Sequence, residues 1–381
     1  MPAALLVHSG GPTPVINASL LGVVEQARQH PQITRLLGAR FGLEGVLSQN
    51  FVDFSTVSGA TVEQIARTPS SALGSSRREP AEHDLEKILE ILRSRDIRYI
   101  FYNGGNGSMG AANQLAAVAR YGSFEIQVIG IPKTIDNDIL VTDHTPGFPS
   151  TAHFFACAVR DIGADNRALP GQVEFVEVLG RNAGWIVAAT ALARHDPADP
   201  PHLLYFPEER LHLDQLLADI EHAYARYGRC VVGVCEGQLD NHGQPFGADV
   251  RHGSRGSLAM NIAHRLAMLT AQHLGLKTRS EKPGLLGRST SLSVETDWNE
   301  ARLCGQAAVT AAVTGQGGHM ITLIREPGPE YHVRTGLVKL ECVAGVERLV
   351  PAEWRVPNGI TPEFRDYLEP LISPVDRFPS F

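Results

Sequence analysis

The feature that most constrains this 381-residue chain is a rhythm of short apolar runs and helical periods. Ala3–His8 is a compact apolar run stopped by Gly10-Gly11-Pro12, and Asn17–Gln29 then reads as a helix. Asp84–Arg95 carries Leu85, Ile88, Leu89 and Leu92 on one helical face. Ile97–Tyr102 reads as a strand ending at Gly104-Gly105-Asn106-Gly107, with a helix following to about Tyr121. Glu125–Ile131 is a further strand, closed by Pro132. The rhythm returns in strand Val173–Leu179, helices Trp185–Arg194 and His212–Tyr227, and strand Cys230–Cys235. Strands apolar on both faces and separated by helices predict an α/β fold of largely parallel sheets covered on both sides. Ligands are then expected at the carboxyl ends of the strands. The length predicts two or three domains.

Composition removes several function classes. With 43% apolar and 20% charged residues the chain has the makings of real cores, and disorder is a poor reading. A net charge of −7 argues against nucleic acid or an anionic membrane held by bulk charge, while leaving room for a local basic pocket. No apolar run approaches the ~20 residues of a membrane span, and MPAALLVHSGG lacks a basic secretory start, so a cytoplasmic location is expected. Cys157, Cys230, Cys235, Cys304 and Cys342 form no C-x-x-C pair and are expected to be reduced. The histidines show no zinc-binding spacing, His8 reads as a hydrogen-bonded strand residue, and Trp185 and the Met260–Met268 stretch read as packing. Asp196–Pro201, Gly237–Gly247 and Arg325–Pro329 read as linkers, and Val52–Pro80 and Gln238–Gly256 as long loops.

Three segments carry chemistry. Ser9–Pro14 follows the first strand, and its glycines let a ligand approach the backbone. Asn103–Gly110 places four glycines at a strand-to-helix junction, more than a turn needs and suited to phosphate oxygens meeting backbone N–H groups. It matches neither the P-loop nor the dinucleotide fingerprint. Pro132–Asp138 gathers Lys133, Thr134, Asp136 and Asp138 directly after a strand. One carboxylate there could take a hydroxyl proton, the second could hold Mg²⁺, and the lysine could neutralise phosphate. An Asx-turn with a solvated acid pair is the plainer alternative for that heptad alone.

In this order, SGGPTPVINAS, ALGSSR, YNGGNGSMGAA, GIPKTIDNDI, DHTPGFPSTA, VEVLGRNAGWIVAATALA and VCEG resemble the phosphofructokinase family, with weaker matches to about residue 305. The resemblance implies two similar three-layer α/β domains around an active cleft, and phosphoryl transfer to the 1-hydroxyl of fructose 6-phosphate. Such a reaction rests on positioning and charge neutralisation. It implies Asp136 as base, with Lys133 and Arg181 as catalytic partners. Gly10, Gly11, Arg77, Gly105, Gly107 and Ser108 would bind the donor phosphates, Gly10 through its backbone N–H. Thr134, Asp138, Leu179, Gly180, Glu236, Arg279 and Arg288 would bind the sugar phosphate, with Asn106 and Asp138 on Mg²⁺. A larger, donor-binding domain is expected at 1–140 plus 257–302 and a smaller, sugar-phosphate-binding one at 141–256 plus 303–345. Residues 346–381 are expected as an irregular tail, and the chain as a homo-oligomer, dimer or tetramer.

The chain departs from the family pattern at several positions. Gly287 precedes Arg288 where the family has glutamine, Leu285 stands where many members carry histidine, and Gln172 replaces an arginine often supplied by a neighbouring subunit. Sedoheptulose 7-phosphate as acceptor, and a non-catalytic sugar-phosphate-binding paralogue, therefore stay open. Asn106 replaces a usual aspartate. For the donor, Gly107 is the residue of ATP users and Lys133 that of pyrophosphate users. An obstructing carboxylate would exclude ATP by bulk and charge, so its absence at Gly107 favours ATP, with pyrophosphate as the alternative.

Overall fold

The computed structural model describes residues 2–120, 124–246, 249–253 and 256–379. By internal contacts the chain divides into two units, Met1–Ser150 with Arg288–Arg348, and Thr151–Gly287 with Leu349–Phe381.

The first unit is built on a seven-stranded sheet. Its strands include β1 (Ala3–His8), β2 (Arg35–Ala39), β3 (Phe51–Asp53), β4 (Ile97–Gly104) and β5 (Gln127–Pro132). The order runs Val333–Lys339, His319–Arg325, β5, β4, β1, β2, β3. The five strands from His319–Arg325 to β2 run parallel, and the two edge strands are antiparallel to their neighbours. Alternation along each strand feeds two cores. Ala4, Leu6, Phe101, Ile129 and Ile131 enter one, while Leu5, Val7, Ile100 and Val128 enter the other.

The first core is closed by two helices, Ile16–Gln29 and Glu295–Val313. A Cβ on Gly22 would stand 2.0 Å from the Arg302 carbonyl oxygen, and one on Gly305 would stand 2.2 Å from that of Ser19. Glycine on both helices is what lets their backbones touch.

The second unit holds a parallel four-stranded sheet in the order Lys277–Glu281, β6 (Gln172–Val178), Cys230–Cys235, Leu203–Tyr205. Trp185 is buried against Trp354, Phe364 and Tyr367, as a packing residue. The tail therefore corrects the expectation of irregular chain. Pro362–Leu368 is a helix, and its rings complete this aromatic cluster.

The domain boundaries also differ from those expected. Helix Ile262–Leu274 and strand Lys277–Glu281, expected in the first unit, belong to the second because the strand pairs with β6. Strand His319–Arg325, expected in the second, pairs with β5 in the first. Helix Phe148–Ala168, absent from the sequence expectations, buries Phe148, Ala152, Phe155, Ala156 and Val159 along one face. The expected helix end at Tyr121, the linker end at Gly247 and parts of the Gln238–Gly256 loop lie outside the described residues; the described helix is Asn106–Arg120. All five cysteines are free, as expected. Among the described residues no helix is long and apolar enough to cross a membrane.

Candidate active site

Three neighbouring parallel strands of the first unit, β1, β4 and β5, end side by side, and the three chemistry-bearing segments are their outgoing loops. Backbone bonds tie the loops together: Ser9 N–H donates to Asn103 O (2.8 Å) and Lys133 N–H to Gly104 O (3.1 Å). The Lys133 side chain is 2% exposed and its Nζ donates to the carbonyls of Ser9 (2.8 Å) and Gly11 (2.6 Å). It thus holds the first glycine loop from beneath. Gly10 takes φ +83°, and a Cβ there would lie 3.3 Å from that ammonium. A Cβ on Gly11 would meet Arg77 Nη2 at 3.7 Å and Arg288 Nη1 at 3.8 Å. One glycine loop is therefore ringed by three cations, a setting for phosphate oxygens.

Several expected roles change here. The Gly10 N–H, expected on the transferred phosphoryl group, donates to Ser76 O at 2.9 Å. The buried Ser108 hydroxyl donates to Ser9 Oγ at 2.9 Å, so it fastens two loops rather than facing donor phosphate. Arg288, expected on the sugar phosphate, sits with Arg77 at Gly11. Asn106, expected on the metal, spends its amide on the chain: Nδ2 donates to Val346 O at 2.5 Å, and Oδ1 accepts from Gly345 N–H at 2.9 Å. Gly105 and Gly107 lie on the same loop, with Gly107 exposed.

The carboxylates are in an unfavourable setting for charge. Burial pushes Asp136 upward, against the pull of Lys133, while Glu347 adds to the rise. Asp138 is pushed up to about 7 by burial and then by Asp136 and Glu347, and its Oδ1 is buried with no hydrogen-bond partner. Lys133 is brought down to about 7 by burial, with Asp136 opposing. The backbone around them is nonetheless well fixed. Thr134 Oγ1 accepts from Asp136 N–H (3.1 Å), and Thr134 O accepts from the Thr145 hydroxyl (2.8 Å). Thr145 N–H donates to Asn137 Oδ1 at 3.0 Å.

The 142–150 segment that braces this loop is itself held by helix Glu295–Val313. Asp297 accepts from Gly147 N–H (2.7 Å), Ser150 N–H (3.0 Å) and the Ser150 hydroxyl (2.5 Å). His144 lies between Glu300 (2.6 Å) and Asp143 (2.9 Å). Burial would lower His144, but the two carboxylates raise it to about 9, so it is an imidazolium. Arg325 joins Asp143 at 3.0 Å, and the Tyr331 hydroxyl donates to Glu300 at 2.5 Å. The sequence motifs include DHTPGFPSTA but give no role to His144, Asp297 or Glu300. Their partners lie about 150 residues away, a pairing no local pattern reveals.

In the second unit the Leu179–Arg181 turn leaves β6 beside Glu236, which follows the adjacent strand. Glu236 N–H donates to Val178 O at 3.1 Å. A Cβ on Gly237 would lie 1.4 Å from the Arg181 carbonyl oxygen, so glycine is obligatory for this approach. Leu179, Gly180, Arg181 and Glu236 thus form one strand-end group. Arg279 does not join it. It pairs with Glu174 in register and donates through Nε to Gln172 Oε1 at 3.1 Å, at the opposite end of β6 and roughly 20 Å away.

A divalent cation fits the acid pair better than it fits Asn106. Mg²⁺ commonly takes one or two carboxylates and completes its shell with water and substrate phosphates. Asp138, with its unpartnered buried oxygen, and Asp136 offer that donor set. No group of three or more histidine, cysteine or acidic residues with metal-holding geometry occurs among the described residues.

Known proteins resemble this chain over most of its length. The family model described as phosphofructokinase matches residues 3–312. A Rhodospirillum rubrum pyrophosphate–fructose 6-phosphate 1-phosphotransferase is 37% identical over 380 residues, covering 97% of this chain and 93% of the relative. An Amycolatopsis methanolica ATP-dependent 6-phosphofructokinase is 31% identical, covering 82% of this chain and 69% of the relative. The crystal structure of a pyrophosphate-dependent phosphofructokinase from Nitrosospira multiformis superposes with a TM-score of 0.90 at 34% identity, covering 100% of this chain and 94% of that one.

Proposed function

Since the chain belongs to the phosphofructokinase family and is a phosphotransferase, we propose that it uses pyrophosphate to phosphorylate fructose 6-phosphate at the 1-hydroxyl. The observation that carries the chemistry is Asp136, buried at a strand end beside Lys133 and the cation-ringed Gly10–Gly11 loop. Asp136 accepts the hydroxyl proton as the sugar oxygen attacks the near phosphorus. The new P–O bond forms, the bridging P–O bond breaks, and inorganic phosphate leaves. Lys133, Arg77 and Arg288 hold the donor oxygens and meet the charge that develops on the leaving phosphate. Arg181 neutralises the moving phosphoryl group, while Thr134, Leu179, Gly180 and Glu236 orient the sugar. Mg²⁺, held through Asp138 and Asp136, would shield the donor's negative charge.

The donor reading departs from the expectation of ATP based on Gly107. Relatives and a solved structure matching nearly the whole chain carry pyrophosphate in their names, whereas the ATP-dependent relative matches a smaller share. Lys133, the residue of pyrophosphate users, is also built into the loop rather than idle beside it. We further propose a cytoplasmic homo-oligomer. The deciding assay compares initial rates with pyrophosphate and ATP on fructose 6-phosphate with Mg²⁺, detecting fructose 1,6-bisphosphate directly. Turnover with pyrophosphate is expected, and turnover with ATP alone would overturn the reading.

A further inference from the structure

Residues 345–348 lie as a strap along two of the site's loops. Asn106 grips it on one side, through Gly345 N–H and Val346 O. On the other side Glu347 forms an antiparallel bridge with Ile139, and Arg348 N–H donates to Asp138 O at 2.8 Å. The Arg348 guanidinium fastens its far end to the carbonyls of Thr142 (2.5 Å) and Asp143 (2.6 Å). This pinning explains why asparagine stands at 106, since an aspartate could not donate to the Val346 carbonyl.

The strap also gives the donor loop two unlike sides. On the Ser108 side lie Gly10 and the cations around Gly11. On the Asn106 side, next to exposed Gly107, lies the strap, and the Glu347 charge acts on both Asp136 and Asp138. A compact diphosphate can stay among the cations. A donor that continues beyond two phosphates brings added bulk and negative charge toward an acidic wall, and like charges brought together are costly.

We propose that Asn106 is a positioning residue that pins the 345–348 strap against the glycine loop, and that Glu347 on the strap is a specificity-determining carboxylate that limits the donor to two phosphates. The inference deepens the pyrophosphate reading and rests on it. The test measures kcat/KM for pyrophosphate, tripolyphosphate and ATP in the wild-type chain, Glu347→Gln and Asn106→Ala, with hydrogen exchange followed at residues 345–348. Glu347→Gln is expected to raise the ratio of tripolyphosphate to pyrophosphate use about tenfold. Asn106→Ala is expected to speed exchange in the strap and raise the ratio at least as much, with the KM for fructose 6-phosphate unmoved. Equal losses on all donors, or an unmoved ratio in both variants, would overturn the strap's role while leaving the pyrophosphate reading in place. Unchanged exchange in Asn106→Ala would overturn the pinning. A wild-type chain that prefers ATP, or turns over with neither donor, overturns the function reading and the strap proposal together. Should Asn106→Ala fail to fold, the exposed, isosteric Glu347→Gln still decides the specificity claim.

Discussion

Two buried charge clusters in the first unit are built to opposite rules. Around His144 every charge meets an opposite partner or a hydrogen-bond donor: Glu300 and Asp143 flank the imidazolium, Arg325 meets Asp143, and Asp297 takes three donors. Around Asp136 the balance is left open. Two carboxylates repel each other, Asp138 Oδ1 lacks a partner, and Lys133 commits two of its three donors to backbone carbonyls. A satisfied network braces, whereas an unsatisfied one has capacity left for charged partners, which the proposed reaction would supply as a cation and phosphates. The braced cluster lies directly behind the open one through Thr145, Thr134 and Asn137. The fold thus holds an incompletely bonded acid pair in place by means of fully hydrogen-bonded carboxylates.

The comparison can be broken at either end. The largest effect is expected from Asp136→Asn, which should lower kcat by about 10³-fold while the melting curve is retained; steady-state kinetics beside a thermal melt would show both. Before mutation, the acid limb of kcat/KM should stand above the ordinary carboxylate range, because the Asp136 proton is held more tightly than usual.

Next comes Glu300→Ala, which strips a buried imidazolium of its partner. It should cost about 3–5 kcal/mol of stability in urea titrations, with activity lost only as the fold is lost. Loss of kcat in a chain as stable as wild type would instead place Glu300 in the chemistry.

Asp138→Asn should act in the opposite sense on stability. Neutralising one of two repelling carboxylates is expected to raise the melting temperature at pH 8 by a few degrees, about 1 kcal/mol, while activity falls sharply. A lowered melting temperature would show that Asp138 belongs with the satisfied cluster.

The smallest effect is pH dependence in the unmutated chain. Asp138 holds its proton to about pH 7 when folded and to about pH 4 when unfolded, so stability should fall as pH rises through that window. His144 holds its proton to about pH 9 folded against about 6.5 unfolded, which adds a second decline between those values. Lys133, lowered to about 7, opposes the upper decline, and Asp297, raised to about 6, shares the lower one. The check is therefore the difference between wild-type and Asp138→Asn melts from about pH 5 to 9.5, which should grow in favour of the variant as pH rises through about 7.

Local chemistry made much of this legible. The apolar runs of β1, β4, β5, β6 and Cys230–Cys235 announce buried strands, and glycines packed after a strand announce a loop for phosphate. Position after a strand marks the Gly10–Gly11 loop and the heptad holding Lys133 and Asp136, while the roles of those two residues come from the family resemblance. What stayed hidden depended on partners distant in sequence. Nothing local says that Asn106 will grip residues 345–346, that Arg288 will stand beside Arg77, or that Arg279 will be tied to Gln172 far from Arg181. Strand order, which sends Lys277–Glu281 to β6 and His319–Arg325 to β5, is equally a long-range choice.

From the sequence alone follow the α/β class, the strand-end site and the identity of its acid pair, because period, turn chemistry and side-chain type act over a few residues. Only the tertiary structure decided which groups are spent on the fold and which are left for substrate. Burial and hydrogen-bond satisfaction are properties of the packed chain, and they separate Asp297, fully bonded, from Asp138, which is not.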